Sequence, residues 1–288
     1  MLNFKQYLTE AELLAEKLIM INNGKKYGQI VFLAGGAGSG KGFSQNFFNS
    51  SDFKIRDVDE MKRLFLKIEK EKNKYPEIKG LDLRNPNDVF KLHTWVEKYG
   101  FDDNSLNIMV SQMKNPETLP NIVFDVTMKN IKKYHKIMDV LIPMGYKPVN
   151  THLIWVLSDY SVAVKANKER SRIVPDDILL QTHVGAHETM WDIVGKGNIP
   201  NNLDGGIYVI LADRSATVLY TDDKGKIFTG GKYGSDKGRK PVIKDFTYIT
   251  YKKPGKSPET SVKIKTELYT WVINRVPLVG DKGVWGDE

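Results

Sequence analysis

Residues 28–45 read GQIVFLAGGAGSGKGFSQ, and this stretch decides the fold. Gln29 to Ala34 is an apolar run of strand length, bounded by glycine on both sides, and reads as a buried strand. Gly35 to Lys41 then supplies all but the last position of the phosphate-binding signature G-x-x-x-x-G-K-[ST], with Gly42 where a Ser or Thr hydroxyl would stand. Phe43, Phe47 and Phe48 continue at helical spacing toward Asn49. Strand, glycine loop and helix in that order have one physical use. Glycines let successive backbone N–H groups face phosphate oxygens, the helix N-terminus adds partial positive charge, and a lysine bridges the β- and γ-phosphates. Gly35, Gly36, Ala37, Gly38, Ser39, Gly40, Lys41 and Gly42 are therefore the candidate nucleotide-binding residues, with ATP as the cofactor. The competing reading is a strand-to-helix turn that binds nothing and leaves Lys41 without a purpose.

The rest of the chain repeats the alternation of strand and helix. A second short strand is expected at Phe53 to Arg56 and a helix near Glu60 to Lys72. Pro76 to Asn115 reads as two helical pieces interrupted at Asn85-Pro86 and Gly100, an insertion on the substrate side. Strands follow at Asn121 to Val126, His152 to Leu157 and Gly206 to Ala212. Helices are expected around 131–142, 160–169 and 175–194. Apolar strands alternating with helices predict an α/β fold, a P-loop NTPase-type parallel sheet with helices on both faces. Past Asp213 the pattern changes to a hairpin at 220–228 and the alternating run Phe246 to Tyr251, a small, basic, β-rich C-terminal extension. The expected organisation is an N-terminal helix in 1–27, a core over 28–213 with an insertion at about 74–118, and the extension over 214–288.

Composition narrows the function classes. The 288 residues include no cysteine, which removes disulfides, thiolate catalysis and Cys-ligated zinc. No apolar run is long enough to span a bilayer, so no membrane association is expected and a cytoplasmic setting is the default. The net charge of +8 is localised: Lys224 to Lys256 holds ten Lys or Arg against two Asp, while the remainder balances at 33 of each sign. With Phe228, Tyr233, Phe246, Tyr248 and Tyr251 interleaved, that window could attract a nucleic acid through phosphate contacts and stacking. A hairpin with solvated lysines and aromatics packing one sheet face accounts for the same residues.

Acidic and cationic groups fall where phosphoryl transfer needs them. Asp57 and Asp59 end the second strand, at the carboxyl edge where open α/β sheets bind ligands. Asp59 can accept the proton of an attacking hydroxyl, and Lys62, one helical turn on, can steady a substrate anion. The bland reading makes Asp59 a helix cap and leaves Asp57 solvated. Asn121-Ile-Val-Phe-Asp125-Val-Thr127 ends an apolar strand in an acid, the form of a carboxylate that positions Mg2+ directly or through water. Arg170 and Arg172 supply forked cations two residues apart, either a lid over the transferring group or an ordinary solvated helix end. His183 and His187 lie at i and i+4 but lack a third ligand for zinc.

The order GGAGSGKG, RDVDEMK, NIVFDVTMKN and NKERSRIVPDDIL resembles the zeta-toxin and polynucleotide-kinase branch of P-loop kinases, over residues 28 to 195. That resemblance implies a catalytic role for Lys41, Asp59, Arg170 and Arg172, substrate binding by Asp57, Lys62 and Thr127, and Mg2+ at Asp125. Lys62 stands where the family commonly has Arg. GGAGSGKG also looks like the loop of adenylate kinase and related nucleoside monophosphate kinases, where Gly follows the lysine as well. MLNFKQYLTE followed by Ala11 is similar to leaders of tailed-bacteriophage head proteins cleaved after a Leu/Ile-x-Glu triplet, here Leu8-Thr9-Glu10, which implies phage origin and packaging in the virion. Thr9 and Glu12 equally form a capping box. The expected function is transfer of the γ-phosphate of ATP to a nucleotide-like acceptor. A nucleoside monophosphate kinase and a non-catalytic nucleotide-binding virion or scaffold protein are the alternatives.

Overall fold

The computed structural model describes residues 27–45 and 53–275, apart from 112, 114, 213–216, 220, 222, 227–228, 231–239 and 242. The Leu8-Thr9-Glu10 triplet, the capping box, Phe47, Phe48, Phe228 and Tyr233 lie outside these residues, as do 220, 222 and 227 of the expected 220–228 hairpin.

Five strands run parallel: β1 (Ile30–Ala34), β2 (Phe53–Asp57), β3 (Asn121–Asp125), β4 (Thr151–Leu157) and β5 (Ile207–Leu211). Three short strands follow, β6 (Thr217–Leu219), β7 (Thr229–Gly230) and β8 (Lys240–Pro241), then β9 (Ile243–Phe246) and β10 (Tyr248–Lys252). The main sheet has the order β10-β5-β4-β1-β3-β2. It is mixed rather than wholly parallel, because β10 pairs antiparallel with β5 at the edge. The run at 246–251, read from its alternation as part of a separate extension, thus contributes Ile249 and Tyr251 to the core.

Side-chain alternation sorts the sheet into two apolar faces. Ile30, Phe32 and Ala34 point to one side with Phe124, Trp155 and Val209, while Val31 and Leu33 point to the other with Val123, Val156 and Ile210. Burial on both sides is why these strands read as unbroken apolar runs. The first face is covered by α4 (Phe101–Ser111), α5 (Lys132–Leu141), α7 (Asp176–Val194) and α8 (Val262–Ile273), with Phe32 stacked on Phe124 at 5.2 Å between ring centroids and against Tyr134 at 4.8 Å. The helix at 262–273 has no counterpart in the sequence reading; Leu268, Trp271 and Val272 are its buried face.

The segment between α2 (Val58–Lys72) and β3 breaks where its proline and glycine predict. Asn85 caps α3 (Pro86–Lys98) by accepting from the Asn87 N–H, Pro86 occupies the first helical position, and Gly100, at φ +60°, turns the chain into α4. Trp95, Tyr99 and Phe101 pack with Phe65 and Tyr75 in an aromatic cluster that fixes α3 and α4 on α2. This seats α3 beside the start of α2.

At the opposite, amino-terminal edge of the sheet, His152 links three segments. Its Nδ1 accepts from the Gly206 N–H at 2.8 Å, so its Nε2 carries the hydrogen donated to Gln29 Oε1 at 2.8 Å. Burial, with Lys252 nearby, pushes its pKa down to about 3. A histidine held neutral in the fold and free to protonate in the unfolded chain makes stability fall as pH drops below about 6.5. At pH 5 the loss from His152 is about 2 kcal/mol, from ~1.4 kcal/mol per pH unit. Urea unfolding at pH 7.5 and pH 5 checks this: His152→Gln should shrink the stability gap between the two pH values by about that amount, and an unchanged gap would remove His152 as the cause.

Candidate functional site

Chain order and strand order together locate the site. β1 lies between β3 and β4, while the chain passes from β1 outward to β2 before returning to β3, so the sheet's switch point lies at the carboxyl ends of β1 and β3. In register, Leu33 lies beside Asp125 and Asp125 beside Asp57. Two carboxylates therefore sit side by side where the glycine loop leaves β1.

The loop enters α1 (Lys41–Ser44), whose first N–H groups lack intrahelical acceptors. Lys41 is buried, and its Nζ donates to the carbonyls of Gly35 at 2.7 Å and Gly36 at 2.9 Å. Burial pushes its pKa down, partly offset by Asp125, Asp59 and Asp57. The Gly35 N–H donates to the Thr127 carbonyl at 3.3 Å, so the segment after β3 supports the loop from beside it. Ser39 Oγ is buried with no partner among the described residues. A Cβ at Gly42 would meet nothing within 4 Å, so packing does not exclude a hydroxyl there.

The carboxylates divide their work. Asp57 is the N-cap of α2 and accepts from the Asp59 N–H at 2.8 Å, which reverses the capping arrangement weighed from sequence. Asp59 is thereby left to other partners, pairing with Arg172 at 2.6 Å and Lys62 at 3.6 Å. Burial pushes Asp59 up, but Arg172, Lys62, Arg170 and Lys41 together hold it below the usual carboxylate range. Asp57 is raised, by burial first and then by Asp125 and Asp59. Asp125 is raised by burial and Asp59 against the opposing charge of Lys41, and its Oδ2 accepts from Gln45 Nε2 at 2.8 Å.

The segment after α6 (Tyr160–Glu169) brings the arginines in. Asn167 anchors it: its Nδ2 donates to the Val174 carbonyl at 2.7 Å, while its Oδ1 accepts from the Val174 N–H and from Arg170, both at 3.0 Å. Burial and the neighbouring Arg172 lower Arg170 to about 10, still charged at neutral pH. The Ile173 N–H donates to the Leu83 carbonyl at 2.9 Å, tying this segment to the chain just before α3. From α3, His93 approaches the same charges: burial and Lys62 push it down, with Glu97, 3.3 Å away, opposing.

Lys41, Asp57, Asp59, Lys62, Asp125, Arg170 and Arg172 thus share one electrostatic neighbourhood, drawn from four separated segments. Sequence reasoning missed Gln45, His93, Asn167 as an anchor, and the contact of Thr182 and His183 with the loop; none has a local signature. His183 donates from Nε2 to the Ala37 carbonyl at 2.7 Å, whereas His187 lies between the Trp155 and Trp191 rings, so the two histidines act apart.

Among the described residues no three carboxylate or imidazole side chains converge into a metal cage. One strand-end carboxylate with an amide beside it still suits Mg2+, which keeps several waters and takes its other oxygens from phosphates.

In the basic window Lys224, Lys226, Lys253 and Lys256 are exposed. Lys252 is buried and donates to Asp204 Oδ1 at 2.8 Å, and Phe246 and Tyr251 are buried, while Tyr248 is exposed. No helix among the described residues is long and apolar enough to cross a membrane.

Strand order, loop and strand-end acids define the class: an α/β protein of the P-loop NTPase type. No family model and no curated protein matches the sequence. Among solved structures, one from work on the PezAT chromosomal toxin-antitoxin system of Streptococcus pneumoniae is 17% identical with a TM-score of 0.41, covering 72% of this chain and 78% of that one. The native AvrRxo1-ORF1:AvrRxo1-ORF2 complex is 14% identical with a TM-score of 0.47, over 95% and 70% of the two chains. The same complex with ATP gives 13%, 0.45, 93% and 70%. The fold assignment rests on strand order and loop geometry rather than on these distant likenesses.

Proposed function

We propose that the protein is an ATP-dependent phosphotransferase that moves the γ-phosphate of ATP to a hydroxyl or phosphate of a nucleotide-like acceptor. The observation that carries this reading is the Arg172–Asp59 pair at 2.6 Å, which joins a cation from beyond α6 to the carboxylate that sits among Lys41, Asp57 and Asp125. In this reading the loop amides of Gly38, Gly40, Lys41 and Gly42 and the Lys41 ammonium hold the triphosphate, while the Ser39 N–H donates to the Gly36 carbonyl at 3.3 Å. Mg2+, when bound, would neutralise phosphate charge, with Asp125 holding it directly or through water and Gln45 fixing the carboxylate's orientation. Asp59 accepts the proton of the attacking hydroxyl, Lys62 and Asp57 line the acceptor side with Thr127, and Arg170 and Arg172 stabilise the charge spread over the transferring group.

Nucleoside monophosphate transfer is the second reading, favoured by a glycine at 42 with open space around it. For nucleic acid as acceptor, Lys252, Phe246 and Tyr251 are engaged inside the fold, while Lys224, Lys226, Lys253, Lys256 and Tyr248 are exposed. A binding protein without turnover is the third. Transfer of γ-labelled phosphate to a panel of nucleosides, nucleoside monophosphates, sugar nucleotides and 5′-hydroxyl oligonucleotides decides among them. Label is expected on one class, with Mg2+ required. ATP binding with no label on any acceptor, and no ATP hydrolysis, would favour the binding protein.

A further inference from the structure

We infer that Thr182 and His183 are positioning residues that clamp the phosphate loop at Ala37, so that the loop's phosphate donors begin at Gly38. This rests on the nucleotide-binding reading of the loop. The two residues are consecutive on α7 and engage both polar groups of one residue in the loop. The Ala37 N–H donates to Thr182 Oγ1 at 3.1 Å, and His183 Nε2 donates to the Ala37 carbonyl at 2.7 Å.

The polarity of each contact follows from its neighbours. Thr182 donates its own hydrogen to the Leu179 carbonyl at 2.8 Å, which leaves only a lone pair for Ala37. A carbonyl can only accept, so His183 must carry its hydrogen on Nε2. The imidazole is 5% exposed and packs edge-on to Tyr160 at 5.2 Å, and burial pushes its pKa down to about 4, which keeps it neutral.

Steric contacts close the grip. A Cβ at Gly36 would lie 2.3 Å from the His183 ring, and one at Gly38 would lie 2.8 Å from the Ala163 carbonyl. The loop is thus wedged between α6 and α7, and two of its glycines are required by what packs on them. Because the Ala37 amide is already taken, it has no hydrogen left for a phosphate. The cost of ordering a glycine-rich loop is met before nucleotide arrives, which is the usual route to affinity without new ligand contacts.

Binding of a fluorescent ATP analogue to the full chain, with thermal melting alongside, tests the clamp. Thr182→Val keeps shape and removes the acceptor; Thr182→Ser keeps the oxygen. Thr182→Val and His183→Ala should each raise the Kd about tenfold, the worth of one well-made hydrogen bond, while Thr182→Ser stays within about threefold. In steady state the loss should appear in the KM for ATP and leave the KM for the acceptor alone. If His183→Ala does not fold, the two Thr182 variants carry the test. Equal weakening by Val and Ser, or no change with Val, would overturn the clamp. Absence of ATP binding by the unsubstituted protein would instead overturn the nucleotide reading beneath it.

Discussion

Lys41→Ala is expected to lower γ-phosphate transfer by at least about 10²–10³-fold, the scale seen when a preorganised group facing transition-state charge is removed. Two effects combine. The ammonium that would meet the β- and γ-phosphates is lost, and so is the cation that opposes protonation of Asp125. Without Lys41, Asp57, Asp59 and Asp125 are three carboxylates with one fewer counter-charge, which repels the triphosphate as well. The buried Gly35 carbonyl also loses the Lys41 donor and the Gly36 carbonyl keeps only the Ser39 N–H at 3.3 Å, so the variant should melt at a lower temperature, and transfer must be measured well below its Tm. Retention of transfer in a folded Lys41→Ala protein would sink the proposal that this loop handles the reacting phosphates.

Asp59→Asn should lower kcat by about 10²–10⁴-fold, the range for a positioned general base, with little change in ATP affinity. The asymmetry follows from its contacts: Asp59 pairs with Lys62 and Arg172, not with the loop. Asp57→Asn is the matched control. Asparagine caps a helix about as well as aspartate, so α2 keeps its cap while the charge disappears, and kcat should fall far less than in Asp59→Asn. Equal losses in the two variants, or an unchanged kcat in Asp59→Asn, would refute the assignment of the base. Measurement of kcat and the KM for each substrate separately is essential, since loss confined to acceptor KM would make Asp59 a binding group.

Much of this architecture is legible in the chain's own pattern. β1 and the loop follow from an apolar run into Gly35 to Lys41, because that order has few other uses. The breaks at Asn85-Pro86 and Gly100 are read correctly because proline and glycine act on their own backbone and need no distant partner. The α6 span, 160–169, is also read from its local pattern. α8 escapes because its apolar residues do not keep to one stripe: Val262, Tyr269 and Ile273 are exposed, and the burial of Leu268, Trp271 and Val272 depends on what the sheet presents to them. β10 has a legible alternation, yet its membership in the main sheet is a pairing with β5, and alternation names a half-buried strand without naming its neighbour.

The site divides along the same line. Residue types and chain order by themselves determined that a lysine, strand-end acids and two arginines follow a phosphate loop in a sequence suited to phosphoryl transfer. Only the tertiary structure decided which acid caps α2 and which meets Arg172, because the two choices differ by two residues in sequence and by an entire set of neighbours in space. Nor could spacing reveal that Thr182 and His183, more than 140 residues beyond Ala37, hold its peptide group. Local propensity is written residue by residue, whereas hydrogen bonds, burial and charge pairing depend on which faces the fold brings together.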